Sequence, residues 1–278
     1  MANDHAGARA SAYEAIPVLL DRHGDRIYGL GLRLCGGPDD AEDLVQETFL
    51  RAFRHWDQFE GRSDPGTWLW AIAARACQRM QRRRAGEPKR MASLHELLPA
   101  PTDAMPALTA KGELPLDDLL RRETREAVER AIGTLPATFR IPLVLKELAD
   151  FSLAEIAAIL EIREATVKTR VHRGRLLLRQ ALARRLPAGP VTPPDHSRQV
   201  CLDLLQTKQD AMDRGTPFPL PDRELCDRCK SMFATLDLAR DACRQIRGGA
   251  LPPEIRALIV DRIDRDRERD RTAVAPTA

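Results

Sequence analysis

Aromatic residues are scarce. Phe, Tyr and Trp together make up 4% of the 278 residues. Leu, Ala, Arg and Glu fill the periodic stretches instead, which favours helices over strands. Long apolar runs are missing too. None approaches the roughly 18 residues needed to cross a bilayer, and no basic-then-apolar leader pattern is present. The expectation is a cytoplasmic protein in a reducing compartment, with no membrane partner. A large excess of one charge is also lacking: 44 Lys and Arg stand against 41 Asp and Glu, a formal net charge of +3. Whole-chain charge therefore names no partner. No phosphate-cradling loop and no nucleophile–base pair stands out, so an enzyme reading finds no support.

What is there is a chain rich in charge (31%) with 43% hydrophobic residues, enough to build cores. Positive charge gathers at Arg79–Arg90 and again at Arg163–Arg185. Two basic stretches suit nucleic acid, and solvated helix faces give the same pattern.

The organisation reads as all-α. A first helical block spans 11–84, with Pro17 and Gly24 as candidate breaks in the opening helix. Gly36-Gly37-Pro38 is a stop-and-restart signal. Leu44, Val45, Thr48, Phe49, Ala52, Phe53 and Trp56 trace one helix face, with Asp43, Gln46 and Glu47 pointing away. Proline-rich stretches at 85–115 and 187–195 read as linkers. Between them, 116–186 forms a second helical block. A third, 196–264, carries four of the six cysteines, and 265–278 is expected to be a disordered tail.

Ser152–Arg185 has helix-turn-helix spacing. Ser152 and Glu155 form a capping box, a short turn follows at Glu161-Ile162-Arg163, and a basic helix begins near Glu164. Val167, Val171 and Leu178 can pack inward. Thr166, Lys168, Thr169, Arg170, His172 and Arg173 face out, donors suited to phosphates and base edges in a major groove. A charged helical hairpin remains the plain alternative on pattern alone.

The string Glu155-Ile156-Ala157 followed by Thr166-Val167-Lys168-Thr169-Arg170 strongly resembles region 4 of the extracytoplasmic-function group of sigma factors. Ala41-Glu42-Asp43-Leu44-Val45-Gln46-Glu47-Thr48-Phe49-Leu50-Arg51-Ala52, then Thr67-Trp68-Leu69-Trp70-Ala71-Ile72-Ala73, resembles region 2. The resemblance covers about Ala12–Arg185. It implies a region 2 bundle and a region 4 helix-turn-helix joined by a linker, followed here by a small helical C-terminal domain. It implies as partners the bacterial RNA polymerase core and promoter DNA, with an anti-sigma factor as a further candidate. Asp43, Gln46, Glu47 and Phe49 match the surface that grips polymerase. Phe59–Pro65 matches the segment that captures a flipped base of the minus-ten element, and Trp68 and Trp70 match residues used in strand opening. Two tryptophans two positions apart cannot share one helix face, so at least one belongs to the core. Arg75, Arg79, Arg82 and Arg83 would contact phosphates there. Thr166, Lys168, Thr169, Arg170 and Arg173 would hold the minus-thirty-five element. The chain departs from the family pattern at Ala76, where Asn is common, at Glu161, where the turn usually has Gly, and at Gly174, where Ala is usual. A helix-turn-helix regulator that binds duplex without joining polymerase is the alternative.

Cys226-Asp227-Arg228-Cys229, with Cys201 upstream and Cys243 downstream, resembles in part a zinc-binding anti-sigma domain. Asp222 stands where that pattern has His. Cys201, Asp222, Cys226 and Cys229 would give four ligands to zinc or another transition metal, with His196 or Cys243 as substitutes for Asp222. Reduced cysteines without metal, or a redox pair at Cys226 and Cys229, remain open. Promoter recognition itself needs no cofactor. The expectation is a built-in regulator that gates the first two domains.

Overall fold

The computed structural model describes residues 11–35, 37–61, 64–85, 93–106, 118–186, 188–246 and 249–274. Its helices, in chain order, are α1 (Ala12–Cys35), α2 (Pro38–Arg54), α3 (Pro65–Ala85), α4 (Leu94–Leu97), α5 (Asp118–Thr134), α6 (Ala137–Glu147), α7 (Leu153–Leu160), α8 (Glu164–Ala183), α9 (Arg198–Arg214), α10 (Asp227–Gln245) and α11 (Pro253–Val274). Among the described residues the β-structure consists of a single bridge, Pro106 with Ala188. The chain divides into two compact units, residues 1–84 with 248–278, and residues 85–247.

In the first unit α2 starts at Pro38 and carries Asp39 and Asp40 in its first turn and Arg51 and Arg54 in its last, charges that complement the helix dipole. Its buried stripe is Ala41, Leu44, Val45, Thr48, Phe49 and Ala52. Gly31 lets α1 come this close: a Cβ there would lie 3.0 Å from the Ala41 backbone. Pro17 and Gly24 do not interrupt α1, which is continuous from Ala12 to Cys35. Gly24 instead leaves room for Leu251, whose side chain would meet a Cβ at 3.0 Å.

That contact marks a difference from the sequence expectation. The chain beyond 248 belongs to the first unit, not to the cysteine-bearing block. Leu251, Ile255, Ile259 and Ile263 enter one core with Ile16, Leu20, Ile27, Val45 and Phe49. The Leu251 amide donates to Asp25 Oδ1 at 2.9 Å, Arg256 pairs with Asp21, and Arg267 sits over the Tyr13 ring at 5.8 Å. The stretch read as a disordered tail continues α11 as far as Val274; residues 275–278 lie outside the described residues.

The second unit packs α5, α6, α7 and α8 together and adds α10 across α5, α6 and α8. The capping box of α7 is formed: the Glu155 amide donates to Ser152 Oγ at 3.2 Å, and the Ser152 amide to Glu155 Oε2 at 2.8 Å. Glu161 ends α7 in the left-handed region, φ 56 and ψ 42, where glycine would avoid a strain of roughly 1–2 kcal/mol. Gly174 has a packing reason. A Cβ there would lie 3.3 Å from the Phe139 carbonyl and from Leu143 Cβ, so its absence lets α8 sit tightly on α6.

The proline-rich stretches are not free tethers. In their described parts, Leu97, Leu98 and Met105 join a core with Leu176, Leu205, Met232 and Phe233. Arg228 donates to the carbonyls of Ala100, Asp103 and Thr192, so one buried guanidinium staples both stretches to α10. Gly189 N–H donates to Met105 O at 2.7 Å. Segments 86–92 and 107–117 lie outside the described residues. The cysteine-bearing block therefore shares a core with the helix-turn-helix, where the sequence suggested a separate domain.

Candidate nucleic-acid interface and cysteine cluster

On α2, Asp43 is exposed and Gln46 and Glu47 are half-buried. Glu47 pairs with Arg51 one turn on and with Arg79 Nη2 of α3 at 3.5 Å. An expected polymerase contact and an expected DNA contact thus neutralise each other. Phe49 is 0% exposed. It lies beneath the acidic face as core and cannot itself be touched by a partner, a correction to its reading as surface.

The loop before α3 is built on three aromatics. Trp56 stacks on Phe59 at 5.3 Å, and Trp68 meets them at 6.0 and 5.1 Å. The Gly66 amide donates to Asp64 Oδ2 at 2.8 Å, closing the turn into the helix. Trp68 stays half-buried at the edge of this cluster. Trp70 is the core member, 6% exposed with Arg26 over its ring at 5.8 Å, so it cannot stack on a base as expected. Arg75 and Arg79 are half-buried. The side chains of Arg82 and Arg83 lie outside the described residues. Ala76 is 1% exposed and serves packing.

Helix α8 presents two flanks beside its inward ridge of Val167, Val171, Gly174 and Leu178. At 100° per residue, Thr166, Thr169, Arg170 and Arg173 fall on one side and Lys168, His172, Arg175 and Arg179 on the other. On the first flank Thr169 is exposed and the other three are half-buried. The second flank is covered. Lys168 Nζ lies 2.8 Å from Asp210 Oδ1 of α9, and His172 Nε2 lies 2.7 Å from Asp213 Oδ2. Arg175 donates to Glu147 Oε1 from Nε and to Asp213 Oδ1 from Nη1, both at 2.7 Å. Burial opposes the charge on Arg175, yet Glu147 and then Asp213 outweigh it and raise its pKa above the ordinary value. Burial alone would raise Asp213, but the His172 hydrogen bond and the Arg175 charge hold it below the usual carboxylate range. Arg179, buried and close to Arg228, is pushed down to about 10. Sequence spacing offered no signal for this network, because its acids come from two other helices: Glu147 from α6, 28 residues upstream of Arg175, and Asp210 and Asp213 from α9, about 40 residues downstream.

The cysteines divide. Cys229, in the first turn of α10, lies within hydrogen-bonding reach of the Cys226 and Cys201 thiols. Burial first, then those two neighbours, push its thiol up. A cavity of about 190 Å³ opens beside them, lined by Cys201, Cys229, His196, Met232, Leu98 and Pro101 among others. Asp222 is exposed in the 3-10 turn Asp222–Glu224 and is not part of that lining, whereas His196 is. Cys243 is 0% exposed with Glu147 and Arg175 as its electrostatic neighbours, apart from the other three. Cys35 and Cys77 are buried in the first unit with their sulfurs 3.2 Å apart.

No helix among the described residues is long and apolar enough to cross a membrane. Comparison with known families matches residues 19–87 to Sigma-70 region 2 and residues 125–178 to Sigma-70, region 4. The ECF RNA polymerase sigma factor SigW of Bacillus subtilis is 34% identical over 169 residues, 61% of this chain and 89% of that protein. SigE of Mycolicibacterium smegmatis, also an ECF RNA polymerase sigma factor, is 38% identical over 171 residues, 60% of this chain and 61% of its own length. A solved Bartonella quintana sigma factor, RpoE, bound there to the anti-sigma factor NepR, covers 59% of this chain at 27% identity with a TM-score of 0.37.

Proposed function

Because the chain belongs to the ECF family of RNA polymerase sigma factors, we propose that it delivers polymerase core to promoters by dividing the work between its two units. The observation that carries this reading is a basic α8 behind a capped α7 in the same chain, and in the same order, as an α2 with an exposed acidic face. Asp43, with Gln46 and Glu47 beside it, offers a basic partner on polymerase a complementary patch. Trp68, at the edge of its aromatic cluster, supplies a ring face for unpaired bases, worth about 1–3 kcal/mol per stacked base. Arg75 lies on the same helix to hold the backbone, and Arg79 joins it on leaving its 3.5 Å pair with Glu47. Thr166, Thr169, Arg170 and Arg173 address duplex DNA through the major groove; Lys168, expected with them, lies on the other flank and is held by Asp210, so it joins them only when that pair opens. The protein contributes binding energy and captures melted strand, while polymerase carries out the chemistry.

Reconstituted transcription tests this. Purified chain added to core polymerase is expected to form a complex and initiate at its own promoters. Asp43→Ala is expected to weaken core binding, and Arg170→Ala with Arg173→Ala to weaken promoter binding and lower the salt slope by about 2. Failure to bind core, with duplex binding retained, would leave a plain helix-turn-helix regulator.

We also propose that Cys201, Cys226, Cys229 and His196 hold a Zn²⁺ ion. What supports it is donor chemistry: three thiols and one imidazole are a common structural set, Cys229 is in reach of Cys201 and Cys226, and His196, which lines the cavity beside them where Asp222 does not, takes the place of the expected Asp222. Among the described residues only the ligand atoms of His172, Asp210 and Asp213 already lie within 4.8 Å of one another, so an ion here would have to draw its ligands together. Zinc would supply a cross-link between α9, α10 and the segment ahead of α9. Chelator-stripped chain titrated with zinc is expected to take up about one equivalent. Substitution with cobalt is expected to give a thiolate charge-transfer band that Cys229→Ser abolishes. Equal metal uptake by the wild type and Cys229→Ser would remove the site.

A further inference from the structure

The covered flank of α8 is met by acids from two helices. Arg175 already has Glu147 inside the helix-turn-helix, with Nη2 2.6 Å from Oε1, so Asp213 is a second acid on the same guanidinium. Lys168 and His172 meet α9 acids as well. Two cations, Lys168 and Arg175, and the His172 imidazole between them on a duplex-facing helix are the donors that backbone phosphates would draw. The seat of α9 is mixed. Leu205, Ala211 and Met212 are buried, and Cys201, Leu202 and Leu204 pack against the same apolar core. The side toward α8 is polar: these ion pairs and Gln209 donating to His172 O at 3.4 Å, with Lys208 pairing Asp237 of α10 at 2.6 Å beside them. His172, Asp210 and Asp213 also bring three metal-ligating atoms within 4.8 Å of one another. Lys168 and Arg175 already balance both carboxylates, so the trio is an ion-pair cluster first.

We propose that α9 is a removable cap on the duplex-facing helix: Asp210 and Asp213 engage Lys168, His172 and Arg175 in place of phosphates, and tight duplex binding requires α9 to withdraw. This rests on the reading of α8 as the duplex-facing helix and adds its regulation. The fused segment then works as an internal competitor, matched to DNA by charge. Any event that loosens α9, including loss of a metal held partly by its Cys201, shifts the balance toward DNA.

The test uses the full chain and a fluorescent duplex of arbitrary sequence, with hydrogen exchange of 198–214 read in parallel. Asp210→Asn/Asp213→Asn is expected to tighten binding roughly tenfold at low salt, to steepen the salt slope by about 2, and to raise exchange in α9. Glu224→Gln/Asp241→Asn makes the same change in charge at exposed sites away from α8 and is expected to leave binding within about twofold, as surface charges do. Equal tightening by this control overturns the cap. So does a freed α9 with no gain in binding. Should Asp213→Asn impair folding, Asp210→Asn alone, which weakens the half-exposed Lys168 pair and the 3.9 Å approach to His172 but keeps Asp213, is expected to tighten binding about two- to fivefold, and no gain there counts against the cap. Adding Arg170→Ala/Arg173→Ala to the freed variant separates the two ideas. Undiminished binding would mean that α8 is not the duplex reader, and the cap falls with it. Diminished binding without any gain from the charge variant sinks the cap alone.

Discussion

Arg175→Ala is expected to cost the second unit about 3–5 kcal/mol, the penalty for stranding buried charge. The guanidinium lies between Glu147 and Asp213, whose side chains are 5% and 7% exposed. Alanine would leave two carboxylates facing each other in a dry site with no cation between them. Chemical denaturation followed by a probe in α10 would read the loss. A change under about 1 kcal/mol would mean that water reaches the network freely. The pH dependence has a definite sign. The Asp213 pKa in the folded chain lies below its ordinary value, so its stabilisation is complete above the unfolded value of about 3.9. It fades as pH falls through the lower folded value. Acidification from about pH 7 to about pH 5 should therefore cost nothing through this residue, with the loss appearing below about pH 4. A transition already complete near pH 5 would belong to another group.

Ile259→Asp is expected to detach α11 from the first unit. Ile259 and Ile263 are each 1% exposed, and an unpaired carboxylate cannot stay in that core. The helix is expected to leave, at a cost of about 3 kcal/mol or more in lost apolar burial. Two measurements check it: a lower thermal midpoint for the first unit, and rapid protease cleavage after the arginines of 253–274. An unshifted midpoint would show that α1–α3 close their core without α11.

The sequence made some of this legible for physical reasons and hid the rest for others. The helix-turn-helix was readable because its signals are local: the Ser152–Glu155 cap, a three-residue turn and Val167, Val171 and Leu178 at helical spacing all lie within about one helix length. The left-handed Glu161 was foreseeable from turn chemistry. Phe49 and Trp70 were misplaced because a family motif marks a position without saying which face of the helix it occupies; the apolar stripe of α2 already held Phe49. The proline-rich stretches suggested tethers because composition reports extended backbone, and extended backbone can still bury Leu97 and Met105. The role of α11 was hidden by dilution. Ile255, Ile259 and Ile263 make a stripe one residue wide in a helix otherwise full of Arg and Asp, and its partners lie more than 200 residues upstream. His172 and Arg175 look solvated in any local window, since the acids that meet them lie on α6 and α9.

The return of the last helix to the first unit also sets a schedule for synthesis. The ribosome completes α1–α3 some 170 residues before it reaches Ile255, Ile259 and Ile263. At about 5–20 residues per second, the nascent chain spends roughly ten to thirty seconds with Ile16, Leu20 and Val45 lacking their final cover. For that interval the emerging polypeptide carries an uncovered apolar strip that α11 alone is shaped to close.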